Sequence, residues 1–237
     1  MPGVCLGKGG IMDIGSQLVE EMQIKTVFTI PGIDIPVSET ICVTWIIIIA
    51  TVLLSIILTR GFSVENPGKR QQIVEAAVTW IEGVPKGILA EENQAYAPYL
   101  ASVLIFLGIA NLSGILGFKP PTRDLNATAA LAIISIVLVE RAGIHKRGVR
   151  GWLKSFTQPM AFITPINILE IFIKPLSLCM RLFGNVLGSF VIMEIIEIKA
   201  PVGIPVVMSA YFDVFDGLLQ AYVFVFLTGL YINESTE

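Results

Sequence analysis

Ile41–Thr59 reads ICVTWIIIIATVLLSIILT, a run without a single charged side chain. A bilayer-spanning helix needs about 20 predominantly apolar residues, because a helix satisfies its own backbone hydrogen bonds where water is absent. The stretch therefore predicts a transmembrane helix. Arg60, Lys69 and Arg70 follow it and put its C-terminal end on the cytoplasmic side by the positive-inside rule. The whole chain suits a lipid solvent: 54% of its 237 residues are hydrophobic and 15% are charged, against roughly 25% charged in soluble domains. The net charge of −3 comes without the clustered basic surface that nucleic acid requires. Cys5, Cys42 and Cys179 are odd in number and scattered, so neither a disulfide framework nor a metal site is expected.

Before this span, residues 1–38 read as a short extramembrane lead-in, with Lys8 but no apolar core leading to a cleavage site. After it, Ile73, Ala77, Trp80, Ile81, Val84 and Ile88 recur at helical spacing, while Glu75, Glu82 and Lys86 take another face. That pattern predicts an amphipathic helix over Gln71–Glu92, bent at Pro85 and lying in the cytoplasmic interface. A short membrane hairpin is the alternative. Asn93–Phe118 is again uncharged and long enough to cross outward, and Lys119, Pro120, Pro121 and Thr122 make an exterior turn. Leu125–Val139 then returns to a cytoplasmic loop carrying Arg141, Lys146, Arg147, Arg150 and Lys154, with the only histidine, His145, as a solvated loop residue.

The last third differs in kind. Apolar runs from about Met160 to Ile198 and from Val202 to Ile232 contain ionisable residues instead of excluding them, and are separated by Ala200–Pro205. Each exceeds one crossing, so each is either strongly tilted or broken. The expectation is an all-α integral membrane protein of about five transmembrane helices plus one interfacial helix, the last two spans long and tilted. Residues 39–232 are expected to form a single membrane domain, and residues 233–237 a cytoplasmic tail. No internal repeat is visible, which disfavours a stand-alone transporter built from paired repeats. No phosphate-binding, metalloprotease or serine-hydrolase motif occurs.

An arginine or aspartate at the centre of a membrane helix costs roughly 2.5–3.5 kcal/mol even on lenient scales, so such residues usually face protein or water and have a role. Arg181, in SLCMRLFGNVLG, is the strongest case. Its guanidinium stays protonated, which suits a fixed barrier charge and not a proton carrier. The ordinary alternative is an arginine paired with a carboxylate from another helix. Asn185 and Gly188 continue its face and read either as a polar, small-residue stripe or as plain helix packing. Asp213, Asp216 and Gln220, at i, i+3 and i+7, should share one face. Two carboxylates one turn apart suit proton relay in a water-filled cavity, or else sit solvated near the surface. Glu170 and Lys174 have the spacing of a helical ion pair. Glu194 and Glu197, near the outer end of the same segment, lie off the Arg181 face and either line an aqueous entrance or cap the helix. Asp124, with Asn126 and Thr128, is suited to capping the fourth span.

Four stretches carry a family resemblance. KPLSLCMRLFGNVLG from Lys174, PTRDLNATAALA from Pro121, LIFLGIANLSGILG around Asn111 and QAYVFVFLTGLYI near the end stand in the order found in subunit a of the F-type ATP synthases, and the chain resembles that family from about Pro36 to Ile232. The resemblance implies an ion-conducting stator subunit with no catalytic site of its own and no cofactor. Its partners would be a rotating ring of small hairpin subunits, peripheral-stalk subunits and the surrounding membrane lipid, with no nucleic acid. It also implies two offset half-channels separated by Arg181, with Gln220 facing that arginine and Asn185 one turn away. Asp213 falls where some members carry an outer-channel histidine. Phe190 and Asn167 stand where many members carry polar or acidic channel residues, so Glu194, Asp213, Asp216 and Glu170 become the available substitutes, with Asp124 a further candidate. The expected location is a bacterial plasma membrane, with the C-terminus cytoplasmic and the proton the expected ion.

Overall fold

The computed structural model describes residues 26–29, 36–60, 62–63, 68–116, 120–155, 164–199 and 203–236. Most of the lead-in, Lys119 of the exterior turn, Met160 and the Ala200–Val202 part of the separator therefore lie outside the described residues. Two short antiparallel strands, β1 (Thr26–Thr29) and β2 (Pro36–Ser38), precede the first span. Ser38 then accepts a hydrogen bond from the Ile41 amide and caps helix α1 (Glu39–Thr59).

Helix α2 (Lys69–Ile88) follows, then a 3-10 turn (Glu91–Tyr96) and helix α3 (Ala97–Leu112). Further 3-10 turns at Ser113–Leu116 and Pro121–Arg123 lead to α4 (Leu125–Ser155) and α5 (Thr164–Lys199). The last segment comprises α6 (Ile204–Ser209), a π-helical stretch (Ala210–Asp216) and α7 (Gly217–Thr236). Among the described residues, five helical stretches are long and apolar enough to cross a membrane: Glu39–Thr59, Glu91–Ile115, Leu125–Trp152, Thr164–Met193 and Val207–Thr236. The chain is an all-α integral membrane protein with multiple spans. Helix α2 is not among the five, in keeping with its polar face, and Trp80 on it is 74% exposed.

Some expected boundaries move. The basic segment after Val139 is not a loop: α4 stays helical through Arg141, His145 and Arg147, and its regular geometry breaks at Gly148, where φ is +71°. Glu, Arg, Ala and Lys are good helix formers, so the end of the apolar run does not end the helix. In the last third, α5 runs unbroken through Pro175 for 36 residues, about 54 Å at 1.5 Å per residue. That exceeds a hydrocarbon core of about 30 Å, so this helix must tilt or protrude. Residues 233–236, read as a tail, form the last turn of α7.

The core lies where α3, α4, α5 and α7 meet, around Leu100, Leu107, Val139, Leu182, Phe224 and Ile232. Close approach is set by small residues. Asn111 donates to the Gly217 carbonyl at 2.8 Å, and a β-carbon on Gly217 would come 2.9 Å from Asn111 Cβ. Outside this core, α1 exposes Trp45, Ile46, Ile49, Leu53 and Ile57. Such an all-round apolar helix is stable where lipid replaces water.

Candidate ion-translocation site

Helix α5 divides its residues by angle. Leu178, Cys179 and Leu182 are buried, and Cys179 Sγ lies 3.5 Å from Thr128 Oγ1 on α4. Arg181 projects away from this packed stripe and is exposed, with Met180 and Leu176 exposed beside it. Among the described residues Arg181 has no ion pair or hydrogen-bond partner, so the alternative of a structural pair with a neighbouring helix's carboxylate finds no support there. Open space also surrounds the Cβ positions of Gly184 and Gly188.

Gln220 is 2% exposed and joins this region from α7, accepting a 2.6 Å hydrogen bond from Asn185 Nδ2. The structure thus brings Asn185 and Gln220 together one turn beyond Arg181. It divides the rest of the expected acidic face. Asp216, one α-helical turn before Gln220, lies near Ser189 on α5, whose hydroxyl donates to the Asn185 carbonyl at 2.9 Å. Asp213 instead accepts a 2.6 Å bond from Ser209, and its carboxylate lies against Gly114 in the 3-10 turn after α3, where an added β-carbon would be 3.0 Å from Oδ1. The π-helical turn explains the difference. It closes i→i+5 bonds and holds more residues per turn than an α-helix, so three residues no longer return the chain to the same face.

At the far end of α5, Lys174 Nζ lies 3.7 Å from Glu170 and 3.0 Å from Glu234, and it sits 5.4 Å from the Tyr231 ring centroid. Asn167, Glu170 and Lys174 line a polar cavity of about 180 Å³ together with Glu140, Arg147 and Glu234. Glu140 accepts a 2.8 Å bond from Trp152 Nε1. Sequence reading missed Glu140 and Glu234. The signal that could have found them is that each charge terminates an apolar run.

Asp124 is buried. Its Oδ1 accepts from the Asn126 amide at 2.9 Å, and its carbonyl accepts from the Thr128 amide at 3.0 Å, which is the geometry of a helix start. Glu194 lies on α5, with its side chain outside the described set. Phe190 is covered by a cation, the Arg123 guanidinium lying 3.4 Å from its ring centroid. No group of three or more His, Cys, Asp or Glu among the described residues is placed to hold a metal.

Residues 41–233 match the family model described as ATP synthase A chain. The chain belongs to this family. It is 38% identical over 199 residues to the ATP synthase subunit a of Moorella thermoacetica, covering 84% of this chain and 90% of that one. Similarity extends to an ATP synthase subunit a 2 of a Bradyrhizobium species, 33% identical over 85% of this chain and 90% of the relative. The Geotalea daltonii subunit a is 33% identical over 87% and 91%. The resemblance carried by four short motifs thus covers most of the chain, and this family member is a membrane component of the F-type ATP synthase complex.

Proposed function

We propose that the chain conducts protons as the stator channel of a rotary ATP synthase, with Arg181 as the fixed charge between two offset half-channels. The observation that carries this reading is an exposed arginine on a membrane helix, without a partner among the described residues, beside the Asn185–Gln220 pair. Leaving a guanidinium there is costly unless a group outside the chain meets it. A ring of small hairpin subunits, each with an ionisable carboxylate, supplies that group transiently. The arginine attracts a deprotonated carboxylate and repels a bare cation, so protons travel around with the ring instead of passing straight through.

On this reading Asp213, Asp216 and Glu194 serve the outer half-channel, and the cavity at Glu170 and Lys174 opens the inner one. Asp124 holds the start of α4 beside the outer route. Peripheral-stalk subunits keep the chain from turning with the ring. The cations that begin at Arg141, directly after Glu140, favour a cytoplasmic location for that end of α4 in a bacterial plasma membrane. Arg147 donates to the Glu234 carbonyl at 3.4 Å, which supports the same side for the C-terminus.

The test is Arg181→Ala in native membranes. Proton-driven ATP synthesis should fall below detection while the complex still assembles. Synthesis at the normal rate would overturn the reading.

A further inference from the structure

A second cavity lies away from the Arg181 face, where the 3-10 turn before α3 meets the later part of α4. Its volume is about 680 Å³, within the roughly 300–1,000 Å³ of small-ligand sites. Arg141 and His145, one turn apart on α4, line it together with Lys146 and Glu92, and Leu138 and Tyr96 form its apolar wall. Lys146 is ion-paired with Glu92. Arg141 has no ion-pair or hydrogen-bond partner among the described residues, and neither has His145. The cavity therefore carries a net positive charge that nothing in the described chain neutralises.

Its depth narrows the occupant. Glu92 is the last charge before the apolar run of α3, and Arg141 follows the apolar stretch Leu125–Val139 of α4 by two residues. Both helices thus cross from hydrocarbon to interface at this cavity, the level of lipid phosphates. Below Arg141 the same face of α4 continues through Leu138 to Ile134, which is 56% exposed. A cationic pocket above an open apolar strip matches a molecule with an anionic head and a hydrocarbon tail.

We propose that this cavity binds the headgroup of an anionic phospholipid, its phosphate held by Arg141 and His145 and an acyl chain lying along Leu138 and Ile134. Basic pockets between membrane helices favour such headgroups, and the guanidinium fork matches phosphate oxygens. The site is independent of how protons cross the protein.

The experiment uses the intact complex reconstituted in phosphatidylcholine containing a minor fraction of phosphatidylglycerol, with retained lipid counted by native mass spectrometry after gentle extraction. The wild-type complex should retain phosphatidylglycerol above its share of the bilayer. Arg141→Gln with His145→Gln should lower that retention roughly fivefold, the weight of one cation at an anionic surface. Arg150→Gln, which removes a nearby charge outside the cavity, should leave it unchanged. Equal retention in the double variant, an equal loss in the Arg150 control, or no lipid preference in the wild-type complex would each overturn the proposal.

Discussion

Asp213 and Asp216 are three residues apart, yet one lies against Gly114 and bonds Ser209 while the other meets Ser189 on α5. If both carry protons at separate points of the outer path, Asp213→Asn and Asp216→Asn should each slow passive proton flux by roughly two to four orders of magnitude, the weight of a positioned proton donor and acceptor. In the double variant the two resistances add in series, so flux should stay close to that of the slower single variant. Flux measured in vesicles carrying the membrane sector separates the cases: a double variant slowed by the product of the two single factors would mean that both carboxylates act on one step. Asn185 and Gln220 behave differently, because their 2.6 Å bond makes them a pair, and replacing either leaves the other amide without that partner.

The helices divide by how much of their form is local. The α1 span, from Glu39 to Thr59, was legible because a charge-free run between Glu39 and Arg60 marks both ends. Arg181 was legible because a permanent charge stands out among apolar neighbours. The π-helical turn at Ala210–Asp216 was not, since nothing in AYFDVFD distinguishes it from an α-helical register. The course of α4 past Val139 was also hidden, because hydropathy reports the membrane boundary and not the helix boundary. Packing of α7 on α3 rests on Gly217, and that makes a test. Gly217→Ala would press a β-carbon to 2.9 Å from Asn111 Cβ, an overpacking cost of about 1–3 kcal/mol. The solubilised complex should melt at a lower temperature. Gly83→Ala on α2, where the added carbon meets open space, should not lower it, since alanine has the higher helix propensity. Equal melting of the Gly217 variant and the parent would show that α3 and α7 can separate without loss.

At one end of the membrane domain the C-terminal turn ties several elements together. Asn233 Oδ1 accepts from the Ala90 amide and from Asn93 Nδ2, both at 3.0 Å, while its Nδ2 donates to the Ile88 carbonyl at 2.8 Å. One side chain thus joins the end of α2, the 3-10 turn before α3 and the end of α7. Ser235 donates to the Val139 carbonyl at 3.1 Å, and Lys174 reaches Glu234 at 3.0 Å, which adds α4 and α5. The segment read as a tail is therefore a clasp. Asn93 is buried and keeps its bond to Thr236 Oγ1, so Asn233→Ala leaves it partly satisfied. The Ala90 amide and the Ile88 carbonyl lose their side-chain partner outright. At about 0.5–1.5 kcal/mol for each hydrogen bond lost, the clasp should open far more often. Amide exchange tests this directly, because the expected change is shared: residues 88–93 and 231–236 should both exchange faster in the variant, by a similar factor, while the α5 amides around Arg181 keep their rates. Acceleration confined to the C-terminal turn would mean that Asn233 caps its own helix and does not couple α2, α3 and α7.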